Sequence, residues 1–305
     1  MINSCIQTIF DLARGDSRVL TLVADIRTQV HEKLMTELPH QYIDYGIAES
    51  NMVASAAGLA SCGKIPFLFT FENFLALRAL EFIRNDVCAA NLGVKLIGRS
   101  AGLTSSFLGL THQATETLAV LRVMPNLRVV TPASPKEAAA ATRFAYNHDG
   151  PVFLRVEGYN SPEIYDDEPH FEYGRGVTVR HGSDVTIITM GTIIQEAIRA
   201  AKLLHEESNL SLRIINIHSV KPIDEHIILS AAMETRAILV LEEHSIFGGL
   251  GSVVAEVIAE NGVQVPFKRM GLSDFCRGCG SIEGIRELNN LTAKDIVKAV
   301  NSLIK

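Results

Sequence analysis

The chain has 305 residues, of which 47% are hydrophobic and 20% charged, and its formal net charge is −6. This length favours two domains, each large enough for its own core, and the composition excludes a disordered chain. An acidic balance without a basic stripe argues against nucleic-acid binding. The longest charge-free stretches, Ser50–Gly63 and Ser100–Thr115, are too short to span a membrane. Five cysteines are too few for a disulfide framework, so we expect a cytoplasmic protein with free thiols.

Amphipathic stretches of helical length alternate with short β-rich runs in the first half of the chain. The β-rich runs predict strands at Val19–Ala24, Ile65–Phe69, Val94–Gly98, Leu127–Val130 and Val152–Val156. The stretches around them predict helices at Ile2–Leu12, Ala48–Ser61, Phe74–Ala90, His112–Arg122 and 135–147. Strands separated by helices normally pair in parallel, so this alternation predicts a doubly wound α/β domain over 1–160.

The alternation stops at 159–183, where Asn, Asp, Pro and Gly cluster, and we expect a polar linker at 161–183. It restarts in a second predicted domain, 184–305. Strands are expected there at Asp184–Met190, Ser211–Ile217, Ala237–Leu241 and 264–269, and helices at Thr192–Leu204, 224–233, from Gly248 onward, and at Ala293–Leu303. The predicted fold is therefore α/β, with two doubly wound domains, each a mostly parallel central sheet flanked by helices.

A carboxylate, Glu49, lies where the predicted helix Ala48–Ser61 begins. Acidic residues in a first turn are ordinarily there because the helix dipole favours them. The functional alternative is a buried carboxylate that shares a proton with a bound heterocycle. The residue type and its position allow both interpretations.

Two further groups of residues allow a structural and a functional interpretation. Phe71 and Phe74 are typical of core packing, but their rings could also stack on a flat ligand. The Gly- and Ser-rich loop at 99–111 leads to His112, which is either a local hydrogen-bonding group or a contact for a reacting molecule.

Weaker signals lie near the C-terminus. Cys276 and Cys279 have CxxC spacing but no second pair, which argues against a zinc or redox site. The run Gly248–Gly251 lacks a complete dinucleotide fingerprint and predicts close packing of a helix on a strand. His244 is a weak site candidate because ligands of open α/β sheets bind at strand ends.

Taken in chain order, these segments resemble the C-terminal half of the transketolase family, over nearly the whole chain. The segments that carry the resemblance are Gly46–Met52, Phe71 and Phe74, Arg84–Asn85, Ala101–Thr104, Thr111–Gln113, Met124–Asn126, Thr131–Pro132, Asp149–Pro151, Glu242–His244 and Gly248–Gly251. The resemblance implies a thiamine-pyrimidine-binding domain followed by a transketolase-type C-terminal domain.

Members of this family use thiamine diphosphate and Mg²⁺ to transfer a two-carbon ketol unit from a ketose to an aldose. The resemblance implies that Glu49 binds the cofactor at the pyrimidine nitrogen N1′. It also implies that Phe71 and Phe74 stack on the pyrimidine, and that His112 contacts the substrate.

The family's metal–diphosphate motif, Gly-Asp-Gly followed by Asn, is missing from this sequence. The resemblance therefore implies a split enzyme whose partner, an N-terminal-half transketolase subunit, holds the diphosphate and Mg²⁺ in an α2β2 assembly. The alternatives are another two-subunit thiamine enzyme, similar to deoxyxylulose-phosphate synthase or to a 2-oxoacid dehydrogenase β subunit, and a non-catalytic scaffold.

This sequence departs from the family where typical members hold their sugar substrates. Ser100, Ser106–Leu108 and Gly158 stand where those members have a histidine, a Gly-Glu-Asp run and an arginine. Each lost charge-assisted hydrogen bond is worth roughly 1.5–3 kcal/mol. We therefore expect an atypical substrate pair, with Ser100, Arg99 and His112 as candidate substrate contacts. Alternatively, Arg99, Arg155 or a residue of the partner supplies a site for an anionic substrate group.

Overall fold

Residues 1–158, 161–165 and 171–305 are described by a computed structural model, in which the chain divides into two units. The first unit comprises 1–101 and 120–173, and the second comprises 102–119 and 174–305. The acidic run at 166–168, which belongs to the predicted linker 161–183, lies outside the described residues. The loop that carries His112 belongs to the second unit.

A parallel sheet forms the centre of the first unit. Its strands are β1 (Val19–Val23), β2 (Tyr42–Asp44), β3 (Ile65–Phe71), β4 (Lys95–Arg99), β5 (Arg128–Val130) and β6 (Val152–Val156). Their order is β5-β6-β4-β3-β1-β2, and every pair is parallel. Strands β1 and β6 are buried along their whole length, as expected of a sheet covered on both faces. Strand β2 was not predicted because three residues are too few to show a pattern.

Helices surround this sheet and form its core together with it. In the first half of the chain they are α1 (Ile2–Gly15), α2 (Gln29–Glu37), α3 (Glu49–Ser61), α4 (Leu80–Phe82), α5 (Thr117–Arg122) and α6 (Pro135–Asn147). Helices α1 and α6 pack on one face, where Ile6, Phe67 and Ala141 are fully buried in one cluster.

The segment Phe74–Ala90, predicted as one helix, contains two π-helical segments in the structure. Phe74–Arg78 and Ile83–Cys88 are π-helical, and the short helix α4 lies between them. Wider π turns inside a helix occur often at functional sites. Periodicity of apolar residues alone does not distinguish them from an α-helix.

The second unit has a mixed sheet. Its strands are β7 (Val177–Arg180), β8 (Val185–Thr189), β9 (Leu212–Asn216), β11 (Ala237–Ser245) and β12 (Phe267–Leu272), with the short strand β10 (Ser219–Lys221) between β9 and β11 in the chain. The sheet order is β12-β11-β8-β9-β7, parallel except that β7 is antiparallel to β9. Its helices are α7 (Ile194–Ser208), α8 (Glu225–Glu234), α9 (Leu250–Glu260), α10 (Ile282–Leu288) and α11 (Ala293–Leu303). The predicted fold class, two mostly parallel sheets flanked by helices, is confirmed.

Strand β11 is longer than the sequence pattern predicts. The apolar run ends at Leu241, but the strand continues to Ser245 and includes Glu242, Glu243 and His244. All three polar side chains are buried. Buried polar groups need hydrogen-bond partners, and here backbone N–H groups of neighbouring segments supply them.

Candidate functional site

Glu49 lies in the first turn of α3, and its side chain is only 2% exposed. One carboxylate oxygen, Oε2, accepts a hydrogen bond from Arg78 Nη1 at 2.6 Å. The Arg78 side chain is 47% exposed. The structure therefore buries the predicted carboxylate and gives it a counter-ion that reaches solvent.

The two predicted aromatic residues lie next to this pair. Phe71 ends β3 and Phe74 begins the first π turn, and their rings meet edge to face with centroids 5.6 Å apart. Arg78 lies over the ring of Phe74, 4.7 Å from its centroid, and therefore contacts both Glu49 and Phe74. Both rings are partly exposed, so core side chains do not cover the whole surface of either ring.

Arg99 and Ser100 continue the same set of contacts. The Arg99 guanidinium lies 4.7 Å from the centroid of Phe71, and its Nε is 3.4 Å from the hydroxyl oxygen of Ser100. Ser100 is buried and has a left-handed backbone, with φ 61°. The candidate site residues Glu49, Phe74, Phe71, Arg99 and Ser100 thus form one chain of contacts, in which Arg78, a residue that the sequence did not single out, joins Glu49 to Phe74.

Arg155 is not available to bind an anionic substrate. It is 2% exposed on β6, and its Nε donates to Glu72 Oε1 at 2.6 Å. A buried guanidinium that leaves its carboxylate would leave an uncompensated charge in the core. The structure therefore removes Arg155 from the alternatives for an anion site. One feature of the sequence indicates this ion pair: Glu72 is a charged residue within the phenylalanine-rich run 69–74.

His112, the predicted substrate contact, lies in the second unit, in a 3₁₀ turn at Leu110–His112. The predicted helix His112–Arg122 begins only at Thr117. The hydroxyl of Thr111 is 2.9 Å from His112 Nδ1. Burial lowers the pKa of His112 below its usual value, which favours a neutral imidazole at pH 7.

The loop around His112 presents apolar side chains to solvent. Phe107 is 68% exposed, Leu110 is 50% exposed and Leu108 is 44% exposed. The loop is closed at its base, because the amide of Ala114 donates to the carbonyl oxygen of Gly102 at 2.9 Å. The predicted substrate contact is therefore carried by a short closed loop with an apolar tip.

His244, the weak candidate, has no exposed surface. Its Nδ1 donates to the carbonyl oxygen of Ser245, and its Nε2 accepts from the amide of Leu118. The neighbouring carboxylate of Glu242 accepts from the amides of Leu250 and Gly251, at 2.7 and 2.9 Å. A side chain held this way binds protein backbone and offers no surface to a ligand.

The prediction of close packing at the start of α9 is confirmed. A Cβ on Gly249 would lie 2.1 Å from Glu242 Oε2. The carboxylate thus occupies the N-terminus of the helix, and any larger residue at position 249 would displace it.

The CxxC cysteines form no disulfide, and the other three cysteines are also free. Cys276 is buried and burial raises its pKa to about 11, whereas Cys279 is exposed. Among the described residues, no group of three His, Cys, Asp or Glu side chains could hold a metal ion. None of the described helices has both the length and the apolar character to cross a bilayer.

Comparison with known families matches both halves of the chain. Residues 3–162 match the transketolase pyrimidine-binding domain, and residues 174–296 match the transketolase C-terminal domain. A 6-deoxy-6-sulfo-D-fructose transketolase subunit of Clostridium sp. (strain MSTE9) is 35% identical over 98% of this chain and 92% of its own length. One of the subunits of an apulose-4-phosphate transketolase from Actinobacillus succinogenes is 32% identical over 99% of this chain and 98% of its own.

Longer relatives also match. A 1-deoxy-D-xylulose-5-phosphate synthase of Crocosphaera subtropica is 34% identical over 88% of this chain, but the match covers 42% of that protein. Among solved structures, a split-gene transketolase described as an inactive β4 tetramer superimposes with a TM-score of 0.89 and 36% identity. That match covers 99% of this chain and 97% of the other.

Proposed function

The chain belongs to the transketolase family, and from that membership we propose that it is one subunit of a two-component, thiamine-diphosphate-dependent enzyme. The enzyme transfers a two-carbon ketol unit from a ketose donor to an aldose acceptor. The observation that carries this proposal is the buried carboxylate of Glu49 beside the partly exposed rings of Phe71 and Phe74.

The residues around Glu49 fit an aminopyrimidine ring. Such a ring needs a carboxyl group at N1′ and apolar side chains along its faces, and Glu49, Phe71 and Phe74 are residues of these kinds in mutual proximity through Arg78. When bound, thiamine diphosphate would supply the nucleophilic carbon needed for cleavage of the ketose. Glu49 would hold the proton it shares with N1′ and so favour the imino tautomer.

In this proposal Arg78 is a counter-ion of Glu49 that is displaced when the cofactor binds. It neutralises the buried carboxylate of Glu49 before a ligand is bound, and its exposure lets it move into water at low cost. Glu49 Oε2, the oxygen that accepts from Arg78, can then share a proton with N1′.

We propose a separate partner subunit for the diphosphate and Mg²⁺, because this chain lacks the Gly-Asp-Gly motif. In this proposal residues 1–160 bind the pyrimidine, 161–183 link the domains and 184–305 form the C-terminal domain. Apolar side chains beside Glu49 support a subunit contact there, since Ile47 is 73% and Leu77 is 45% exposed. Two-fold symmetry with both chain types gives an α2β2 assembly.

For the substrates we propose an atypical pair, of which at least one lacks a phosphate or a hydroxyl next to its carbonyl. Phe107 and Leu108 make the loop around His112 apolar, so a substrate hydroxyl would find no carboxylate there. Arg99, Ser100 and His112 are the substrate contacts we propose. The sulfosugar and apulose phosphate in the names of two relatives support substrates outside the ordinary set.

Co-expression with an N-terminal-half subunit tests the function. The complex, with thiamine diphosphate and Mg²⁺, is screened by mass spectrometry against pairs of ketoses and aldoses. We expect one sugar to lose two carbons and the other to gain them, and we expect neither the chain alone nor a Glu49→Gln complex to react. Transfer by the chain alone would contradict the two-component proposal. Formation of 1-deoxy-D-xylulose 5-phosphate, or decarboxylation of a 2-oxoacid alone, would favour the alternative enzymes.

We place the protein in the cytoplasm, where reduced cysteines persist. The five free cysteines support this compartment.

A further inference from the structure

The loop that carries His112 has a narrow base, which we call the loop neck: Gly102, Leu103, Thr115 and Leu118. The bond from Ala114 to Gly102 brings the entering and leaving chain together. All of these residues lie in the second unit. The position of His112 therefore depends on what holds the loop neck.

Three consecutive residues at the end of β11 hold it. Glu243 Oε2 accepts from the amide of Leu103 at 3.3 Å. His244 Nε2 accepts from the amide of Leu118 at 3.1 Å. The amide of Ser245 donates to the carbonyl oxygen of Thr115 at 2.7 Å. One short stretch of strand thus bonds both the entering and the leaving side of the loop.

The groups that make these bonds are themselves fixed. Glu243 is 5% exposed, and its second oxygen accepts from Arg286 Nε at 2.5 Å. Because His244 Nδ1 donates to a carbonyl oxygen, the bare Nε2 must be the acceptor for Leu118. Arg286 is 6% exposed. A buried network whose members are paired defines a single geometry.

Two glycines at or next to the loop neck, Gly102 and Gly248, also pack closely against neighbouring side chains. Gly102 has a left-handed backbone, with φ 58°, and a Cβ there would lie 3.0 Å from Glu243 Oε2. A Cβ on Gly248 would lie 2.6 Å from the Cβ of Ala119. A side chain at either position would therefore press against residues that hold or adjoin the loop neck.

We propose that Glu243 and His244 are positioning residues, which set the place of His112 through the backbone of the loop neck. Neither side chain touches the substrate. This inference rests on the proposed function, in which His112 contacts the substrate. It assigns the C-terminal domain a role in the transfer step, because a displacement of about 1 Å in a substrate contact can cost about a hundredfold in rate.

The first test measures amide hydrogen exchange in the assembled complex, on peptides that cover 102–119. His244→Phe removes the acceptor for Leu118, and His244→Gln keeps an acceptor at the position of Nε2. We expect exchange in the loop neck to be about tenfold faster in His244→Phe and close to the parent in His244→Gln. Glu243→Met, which removes the acceptor for the amide of Leu103, is the second variant if His244→Phe does not fold.

Asp224→Asn is the matched control. Asp224 is also a buried carboxylate of the second unit, and it accepts from the amides of Ile227 and Gly176, outside the loop neck. We expect its loss to leave exchange in 102–119 unchanged. Unchanged exchange in both His244→Phe and Glu243→Met would overturn the proposal.

The second test is a double-mutant cycle with His112→Ala. We expect kcat/KM for ketol transfer to fall about tenfold or more in His244→Phe, while proton exchange at the thiazolium carbon, which depends on Glu49, stays at the parent rate. Added to His112→Ala, the substitution should cause no further loss. Losses that simply multiply would overturn the positioning role. An inactive parent complex would instead refute the proposed function, and amide exchange would still decide whether Glu243 and His244 fix the loop.

Discussion

The first unit contains the glutamate–arginine pairs Glu49–Arg78 and Glu72–Arg155, and each pair joins its closest atoms at 2.6 Å. Both members of the Glu72–Arg155 pair are at most 2% exposed, whereas Arg78, the partner of Glu49, is 47% exposed. If Arg155 left Glu72, both charges would lose their partner, whereas Arg78 already contacts water and only Glu49 would need a new partner, which a ligand can supply. The two pairs therefore have the same distance but differ in whether the arginine can leave. Glu72–Arg155 is a permanent pair, and Glu49–Arg78 is an exchangeable one. A carboxylate that must receive a ligand needs the exchangeable kind.

The largest expected effect is on the exchangeable pair. In the reconstituted complex, Glu49→Gln should lower ketol transfer by about 10³-fold or more, because an amide cannot share a proton with N1′ as a carboxyl does. Proton exchange at the thiazolium carbon, followed by NMR, measures this step directly. The unfolding transition of the variant should stay near that of the parent. Near-normal proton exchange in Glu49→Ala would refute the assignment of Glu49.

The permanent pair should respond through stability. Arg155→Met leaves Glu72 buried without its guanidinium, and we expect a loss of about 3–5 kcal/mol in the free energy of unfolding. Urea denaturation followed by circular dichroism measures it. The double variant Arg155→Met/Glu72→Met should recover most of the loss, since no charge is then left unpaired. A loss below about 1 kcal/mol in the single variant would make the two pairs equivalent.

His31, a buried histidine of the first unit, gives a further comparison. Its surroundings disfavour its charged form, whereas Glu49 and Glu72 each have an arginine beside them. Burial, followed by the charges of Arg99 and Arg27, lowers the pKa of His31 to about 4. Its Nδ1 accepts from the amide of Thr28 at 3.0 Å. Between pH 6.5 and 4 the unfolded chain binds the proton and the folded chain does not, so stability falls as the pH falls through this window.

The shift corresponds to a loss of about 3 kcal/mol between pH 7 and pH 4. Urea unfolding across that range should show the loss in the parent. His31→Asn keeps an acceptor for the amide of Thr28 but does not titrate, so its stability should depend less on pH. Parallel curves for the two proteins would contradict the prediction.

The smallest effect is expected for Arg78. Arg78→Gln should lower the free energy of unfolding by less than Arg155→Met does, because Arg78 is half exposed and glutamine can still donate a hydrogen bond to Glu49. Calorimetric titration of the complex should give a thiamine diphosphate affinity equal to or tighter than that of the parent. If Arg78→Gln stopped proton exchange at the thiazolium carbon as fully as Glu49→Gln, Arg78 would belong to the chemistry rather than to an exchangeable pair.

Much of the fold was predictable because buried parallel strands are continuous apolar runs. Strand β6 was predicted to the residue, and the predicted strands of the first half are all present. Strands β2, β7 and β10 were not predicted. They are short, and β7 pairs antiparallel at the edge of its sheet, where the apolar pattern is weak. The π turns at 74–88 escaped prediction because they keep a helical spacing of apolar residues.

The sequence by itself determined the chemical types of the candidate residues: a carboxylate at the start of α3, two phenyl rings at and just after the end of β3, and a histidine in a Gly-rich loop. These are local features, and short motifs record them. Only the tertiary structure decided their partners, because the residues that meet are far apart in the chain. Arg78 reaches Glu49 across 29 positions, Arg155 reaches Glu72 across 83, and Glu243 reaches Leu103 across 140. Burial and charge pairing depend on which segments pack together, and that is settled when the two sheets form.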